Sequence, residues 1–321
     1  MRVVLAALVL ALAVGLDYAL YPRLAGVGGE PHPGGGNGVW MRYWWYNGDR
    51  PAEELPGVVA DLRARGISQL YFNVGQVGAD GRLQRGRPES ARRMIAALKG
   101  SSATPIAWAI ALNPGMGGQV DISDPAVRVA MVEEARWLVA DCGFRGVQWD
   151  WEYARGATDE LLALLHETRA ALPEGAIISI ATPAWRPWPT GAFGWREDDF
   201  ARIAPECDQI CVMCYDTAMF LPRAYVGLTR GQVLRVAPAV AAANPDCRVL
   251  IGVPTYGDPN SAPSHHAHAE NLRMALKGLR EGNTLLQRRH PGVPIPAAAI
   301  FANWTTEPPE WRTWDEVWVG P

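Results

Sequence analysis

The chain has no dense run of lysine or arginine in its 321 residues, and its formal net charge is -3. Both facts exclude an electrostatic surface for nucleic acid. The arginines between Arg82 and Arg93 are diluted by Gly, Pro and Glu, and they read as a solvated loop and helix face. Cysteine is scarce and odd in number: Cys142, Cys207, Cys211, Cys214 and Cys247. Five cannot all pair internally, so no disulfide framework is expected. Cys211 and Cys214 have odd spacing on one predicted strand, so they point to opposite faces and read as small buried hydrophobes. Metal-ligand spacing is missing too. His265, His266 and His268 lie in a Pro/Ser/Ala loop with no carboxylate at fixed spacing, which predicts a solvated loop, no metal and no cofactor. Tandem self-similarity is absent, which excludes a solenoid. The first strand candidate runs into Tyr46-Asn47-Gly48-Asp49. That is not the Gly-rich phosphate turn that a dinucleotide-binding open sheet requires.

What is present starts with an apolar run from Val3 to Leu16 behind Met1-Arg2, continuing weakly past Asp17 to Leu20. The run is short for a span of about 20 residues, and it fits a signal peptide or an N-terminal signal anchor. Ala13-Val14-Gly15 is the nearest candidate for a cleavage site. Either reading places the rest of the chain outside the cytoplasm, secreted or anchored. Gly26 to Gly38 is rich in Gly and Pro and reads as a linker. The expected organisation is an export or anchor segment over 1–20, a linker over 21–38, and one folded domain over 39–321.

Within that domain strand-like and helix-like segments alternate. The strand candidates are Val39–Trp45, Gln69–Val74, Pro105–Ala111, Gly146–Glu152, Ala176–Ala181, Gln209–Asp216, Arg248–Tyr256 and Ala298–Trp304. Helices are predicted over Glu53–Arg65, Glu89–Leu98, Pro125–Asp141, Asp159–Ala171, Glu197–Ile203, Leu228–Ala243 and Ala269–Arg280. The third has Asp124 as N-cap, Pro at its first position and Gly143 as its stop. Eight such units over roughly 280 residues are the arithmetic of an α/β protein with a single (β/α)8 barrel.

The most informative stretch is Val147-Gln148-Trp149-Asp150-Trp151-Glu152. Strand side chains alternate, so Gln148, Asp150 and Glu152 share one face and Val147, Trp149 and Trp151 the other. Acidic pairs at strand ends are often no more than solvated loop starts. At the C-terminal end of a barrel strand they are also placed for acid/base chemistry. Tyr43, Trp45, Asn73, Asn113, Tyr215, Asp216, Tyr256, Asn303 and Trp304 close the other predicted strands, and in a barrel all would ring one mouth. The chain has fourteen tryptophans. Core packing accounts for some, Trp137 among them. Trp40, Trp44, Trp45, Trp185, Trp188, Trp195 and Trp304 fall at strand ends or in loops, where indole faces would suit a glycan-binding cleft.

Phe144-Arg145-Gly146-Val147-Gln148-Trp149-Asp150-Trp151-Glu152 resembles the fourth-strand signature of family 18 glycoside hydrolases, written DGxDxDxE. These are the chitinase-like (β/α)8 enzymes. Met213-Cys214-Tyr215-Asp216 resembles the sixth-strand M-x-Y-D, and Trp304 is placed like the eighth-strand tryptophan that floors the sugar subsite. The resemblance spans about residues 39 to 320. It implies retaining hydrolysis of β-linked N-acetylhexosamine glycans, chitin- or peptidoglycan-like, with the substrate's own acetamido oxygen as nucleophile. Glu152 would be the general acid/base, Asp150 would orient the acetamido group, and Tyr215 would hydrogen-bond it. Met213 and Asp216 would line the same subsite, with Gln148, Tyr43, Trp45, Asn73 and Tyr256 around the mouth and Trp304 beneath the ring. The partner is a polysaccharide or oligosaccharide, and a monomer is expected.

Burial among tryptophans and the charge of Asp150 should both raise the pKa of Glu152. The sequence departs from the signature at Arg145 and Gln148. Arg145, at odd parity near the strand base, is expected to point away from the sugar. Gln148 cannot ionise, and it is expected to donate a hydrogen bond to Asp150. Two other readings stay open. One is a non-catalytic glycan-binding protein on the same barrel. The other is a glycosidase of sugars without the acetamido group, with Asp216 as a nucleophile about 5–5.5 Å from Glu152.

Overall fold

The computed structural model describes residues 2–32, 34–83, 88–114, 117–152, 156–187, 194–257 and 264–320, with the side chains of residues 2, 3 and 152 outside that description. Eight parallel strands close into a barrel in the order β1 to β8, each paired with its neighbours in sequence and β8 with β1. They are β1 (Asn37–Met41), β2 (Ile67–Gln76), β3 (Thr104–Leu112), β4 (Gly146–Glu152), β5 (Ile177–Pro183), β6 (Gln209–Met213), β7 (Arg248–Pro254) and β8 (Ala297–Phe301). The expected (β/α)8 barrel is therefore the fold.

The helices are α1 (Arg2–Leu24), α2 (Trp44–Asn47), α3 (Leu55–Ala64), α4 (Pro88–Ala97), α5 (Pro125–Arg136), α6 (Asp159–Ala171), α7 (Glu197–Ile203), α8 (Pro222–Ala243), α9 (Leu272–Arg289) and α10 (Pro308–Trp314). Caps explain several starts. The Asp124 side chain accepts from Ala126 N, Thr158 from Leu161 N, and Asn271 from Met274 N. A single π turn, Trp137–Asp141, extends α5.

Alternation along the strands sorts side chains into two cores. Val147, Trp149 and Trp151 face the helices, where Trp149 donates to Thr168 Oγ1 at 3.1 Å. Trp40, Tyr71, Ile106, Trp108, Cys211 and Leu250 fill the barrel interior. Gly146 permits the closest approach in this region. A Cβ there would lie 2.1 Å from the Ile177 carbonyl oxygen, so only glycine lets β4 and β5 pair at this point.

A polar column runs along the barrel axis. Gln209 Nε2 donates to Gln69 Oε1 at 2.9 Å, and Tyr71 donates to Gln209 Oε1 at 2.9 Å. Cys211 Sγ donates to the Tyr71 hydroxyl at 3.2 Å. Higher up, Gln148 Nε2 donates to Ser179 Oγ at 2.9 Å, and Trp40 Nε1 donates to Gln148 Oε1 at 2.8 Å. Buried polar groups are tolerated because each finds a partner.

Three sequence expectations change here. Strands β1, β6, β7 and β8 end two to four residues earlier than predicted, so several mouth residues sit on loops. The apolar N-terminal run is part of a longer helix that reaches Leu24, and its Val4–Leu24 portion is long and apolar enough to cross a membrane. It could serve as a signal sequence or an anchor. The Gly/Pro-rich segment after it lies along α9: Lys277 and Arg280 donate to the carbonyls of Gly26 and Gly29, and Glu30 N donates to Thr284 Oγ1.

Candidate active site

The mouth is organised around Phe301, at the C-terminal end of β8. Its ring stacks on Tyr215, with centroids 4.7 Å apart and planes at 18°. It also meets Trp40 at 5.7 Å, Trp108 at 6.2 Å, Tyr256 at 6.0 Å and Trp304 at 5.7 Å, all edge to face. These offsets are the preferred aromatic geometries. Two polar residues of the β4 inner face, Gln148 and Asp150, join this cluster through indoles. Trp108 donates to Asp150 Oδ2 at 2.8 Å, and Trp40 donates to Gln148. Asp150 is 2 % exposed and Gln148 fully buried.

The hydrogen bond expected from Gln148 to Asp150 is therefore not made. Both ends of the Gln148 amide are engaged by Trp40 and Ser179. Asp150 takes a donor from the neighbouring strand instead, since Trp108 stands two registers from it on β3. Glu152 closes β4 opposite Leu112, on the same strand face as Asp150 by alternation. Its side chain lies outside the described residues, as does Trp188. Arg145 is exposed at the strand base, away from the mouth.

Tyr215 and Asp216 follow β6 on a tight loop. Asp216 has φ of 51° and Ala218 φ of 60°, both left-handed and costly for residues with a Cβ. Buried Glu270 fixes the loop in this shape. It accepts from Thr217 N at 3.0 Å, Thr217 Oγ1 at 2.9 Å and Met219 N at 3.0 Å. Asp216 accepts from the Tyr256 hydroxyl at 2.9 Å. Burial nonetheless raises its pKa above the ordinary aspartate value, with the Tyr256 bond acting in the opposite direction. The tyrosine is shifted up in turn, by burial first and then by the aspartate charge.

His265 corrects the expectation of a solvated histidine loop. It is 3 % exposed, lies against the Tyr256 ring at 4.3 Å, and has Nδ1 3.7 Å from both Asp216 and Glu270. Among the described residues no group of three His, Cys, Asp or Glu could hold a metal ion.

The structure thus brings Gln148, Asp150, Tyr215, Asp216, Tyr256 and Trp304 to one mouth, with Met213 in the same interior cluster. Tyr43 stands to one side. It lines a groove of about 540 Å³ with Asn47, Asn73, Gln76 and Gln119, and neither Asp150 nor Tyr215 lines it. The Arg42 guanidinium links the two regions, lying 5.3 Å from the Tyr43 ring and 5.8 Å from Trp304. Asn73 sits at a β2 irregularity and accepts from Gly75 N at 2.9 Å.

Trp45 does not reach the mouth. Because β1 stops at Met41, Trp45 falls on α2, 3 % exposed in the outer core. Trp195 is likewise a core residue against Phe200, and Trp44 and Trp185 are half-buried beside that core. The surplus of indole therefore serves packing more than the cleft. Trp108 and Phe301 were missed. The signal for Trp108 was the alternation Ile106, Trp108, Ile110 against Ala107, Ala109, Ala111, which marks the bulky set as the inner face.

Comparison with known proteins agrees with this architecture. The sequence profile of Glycosyl hydrolases family 18 matches residues 115–317. That stretch exceeds half of the chain, and the chain belongs to this family. Among solved structures it is similar to a class V chitinase from Pseudomonas fluorescens Pf-5, at TM-score 0.59 and 15% identity over 89% of this chain and 99% of that one. It is also similar to the spore cortex-lytic enzyme SleL of Bacillus cereus, at TM-score 0.58 and 11% identity over 90% and 75%. A Group IV chitinase of Ostrinia furnacalis gives 0.58 and 13% over 88% and 99%. At these identities the likeness is one of fold. Among functionally curated proteins none matches.

Proposed function

We propose that the protein is a retaining glycoside hydrolase of β-linked N-acetylhexosamine glycans, chitin- or peptidoglycan-like. The observation that carries this reading is the inner face of β4. Asp150 points into an aromatic mouth with its carboxylate fixed by Trp108, and Glu152 follows two residues on at the strand end. In this reading Glu152 protonates the leaving glycosidic oxygen and then serves as base. Asp150 orients the acetamido group, whose oxygen attacks the anomeric carbon, and stabilises the charge that develops on it. Tyr215, stacked on Phe301, hydrogen-bonds the same group. The names of the fold neighbours lend support: two are chitinases and one is a cortex-lytic enzyme. The reading includes an extracytoplasmic location and a monomer acting on a polysaccharide or oligosaccharide.

Hydrolysis of a fluorogenic N-acetylglucosamine oligomer tests it. Wild-type turnover that is lost in Glu152→Gln and reduced in Asp150→Asn is the expected outcome. Binding of the oligomer without turnover in any variant would make the protein a lectin. Turnover of plain glucosides in preference to acetamido sugars would rule out substrate assistance.

A further inference from the structure

Arg42 follows the last residue of β1 at the mouth end of the barrel. Its guanidinium carbon lies 5.1 Å from the Trp44 ring, 5.3 Å from Tyr43 and 5.8 Å from Trp304. Trp304 in turn meets Phe301, whose ring stacks on Tyr215. The cation is thus a short aromatic relay away from Tyr215. Rings attract a guanidinium through its face and leave the in-plane N–H donors open to an anion. Arg42 is half-buried and, among the described residues, makes no ion pair and no hydrogen bond. Other half-buried guanidiniums are occupied: Arg128 pairs with Glu167, Arg65 with Asp315, and Arg186 donates to the Thr217 carbonyl. Holding Arg42 among three rings costs side-chain entropy without an internal acceptor in return. Such a fork is pre-organised for an anion from outside the chain.

The surroundings decide where that anion lies. Asp150 and Asp216 stand at the mouth and repel a carboxylate from its centre. On the other side of Arg42, Tyr43 begins the wall of the groove of about 540 Å³, with Asn47, Asn73, Gln76 and Gln119. None of the described lining residues is charged. Their amides offer donors and acceptors without repelling an acid.

We propose that Arg42 binds a carboxylate carried by the glycan, and that the amide-lined groove receives the substituent that bears it. The substrate class is then an N-acetylhexosamine glycan with an acid on its sugar. The acid sits either on an ether-linked lactyl group, as in N-acetylmuramic acid, or at the end of a short peptide amide-linked to that group. The guanidinium fork takes both carboxylate oxygens in parallel hydrogen bonds. A neutral homopolymer of N-acetylglucosamine offers it nothing. Arg42 therefore selects between the chitin-like and peptidoglycan-like alternatives. The inference deepens the hydrolase reading and rests on it for the position of the sugar.

The test measures binding apart from turnover. The full chain carrying Glu152→Gln is titrated by calorimetry with an alternating N-acetylglucosaminyl–N-acetylmuramyl tetrasaccharide in three forms. The lactyl groups are free acids, neutral N-methylamides, or amide-linked to a dipeptide with a free terminal carboxylate. The expected result is that an acid form binds about tenfold or more tightly than the N-methylamide. The preference should shrink in high salt, since the site is half exposed. It should vanish in Arg42→Gln and survive in part in Arg42→Lys, which keeps the charge and loses the fork. Tighter binding of the free lactyl acid places the carboxylate on the sugar; tighter binding of the dipeptide form places it on a peptide in the groove. Equal binding of acid and N-methylamide forms would overturn the proposal, and that comparison needs no substitution at Arg42. A preference that persists undiminished in Arg42→Gln would overturn it as well. Wild-type turnover is followed in parallel on the N-acetylglucosamine tetramer and on the free-acid tetrasaccharide. Acid preference without turnover of either would sink the hydrolase reading and leave Arg42 standing. Turnover with no acid preference would do the reverse.

Discussion

Trp108 donates its indole N–H to Asp150 Oδ2 at 2.8 Å, across two adjacent strands and with the carboxylate 2 % exposed. A neutral donor in this position stabilises the ionised carboxylate without adding a charge of its own. It also fixes the direction in which Asp150 points. Trp108→Phe keeps much of the ring and removes the donor. A hydrogen bond to a charged group contributes about 1.5–3 kcal/mol, so kcat/KM on an acetamido-sugar oligomer should fall about tenfold or more. Far-UV circular dichroism should be unchanged. Equal activity in the two proteins would show that the indole only packs.

Under the proposed hydrolase reading, the aromatic floor beneath the sugar would be either Phe301 or Trp304. Phe301 touches Tyr215, Trp40, Trp108 and Tyr256, whereas Trp304 lies at the edge of Phe301 and within reach of Arg42. Phe301→Ala should therefore cost more than Trp304→Ala in kcat/KM. A stacked ring contributes about 0.5–1.5 kcal/mol beyond its buried area, so the gap should be on the order of tenfold. Steady-state kinetics on the same oligomer decides it. A larger loss in Trp304→Ala would return the floor to the tryptophan.

The barrel was legible because eight apolar strands alternate with capped helices, and the strand Gly146–Glu152 and the helices Asp159–Ala171 and Glu197–Ile203 fall where the pattern puts them. Strand ends were less legible. Hydrophobic runs such as Val39–Trp45 continue past the last ladder bond, because α2 opens with the aromatic residues Trp44 and Trp45. That single effect misplaced Trp45. The partners of Gln148 were hidden for another reason. Trp40, Ser179 and Gln148 are separated by 108 and 31 residues, and only barrel closure brings β1 and β5 onto one amide. Likewise nothing local in the sequence ties Glu270 to the loop at Asp216; the link is made across 53 residues.

Asp216 sets an expectation for pH dependence. Its folded-state value is raised by burial and pulled back by the Tyr256 hydroxyl. Tyr256→Phe removes the opposing bond, so the carboxyl should stay protonated to still higher pH. If ionised Asp216 supports turnover, the acid limb of the pH–rate profile moves upward in Tyr256→Phe. For stability the sign is the same. A raised folded-state pKa gives a contribution that is present in acid and lost as pH rises through that value. Asp216→Asn should flatten that part of the curve of melting temperature against pH. An acid limb that moves downward in Tyr256→Phe would contradict the assignment.

The cysteines should be inert in the folded protein. All five are buried. Burial pushes the thiol of Cys211 up to about 11 and those of Cys214 and Cys247 to about 12. At mildly alkaline pH a thiol at that lower value is thiolate in roughly one molecule per thousand, and thiolate is the reactive form. Titration with a chromogenic disulfide should give no rapid phase in native protein and five equivalents after unfolding in denaturant. A fast native phase would contradict the burial.

Gln148 is the last and most specific test, because it is where the chain departs from the family signature. Its amide accepts from Trp40 and donates to Ser179, so its present role is to satisfy two buried groups between β1 and β5. Gln148→Leu keeps the volume and removes both bonds. Leaving a buried partner unsatisfied costs about 1–3 kcal/mol, so two orphaned partners should lower the unfolding free energy measurably in urea. Gln148→Asp restores the carboxylate of the signature on a shorter side chain. Two acids on one inner strand face repel, so one of them should titrate well above the ordinary aspartate range. The acid limb of kcat/KM should then broaden or gain a second ionisation that the parent chain lacks. An unchanged profile in Gln148→Asp, with the protein folded, would show that position 148 does not communicate with Asp150 through charge.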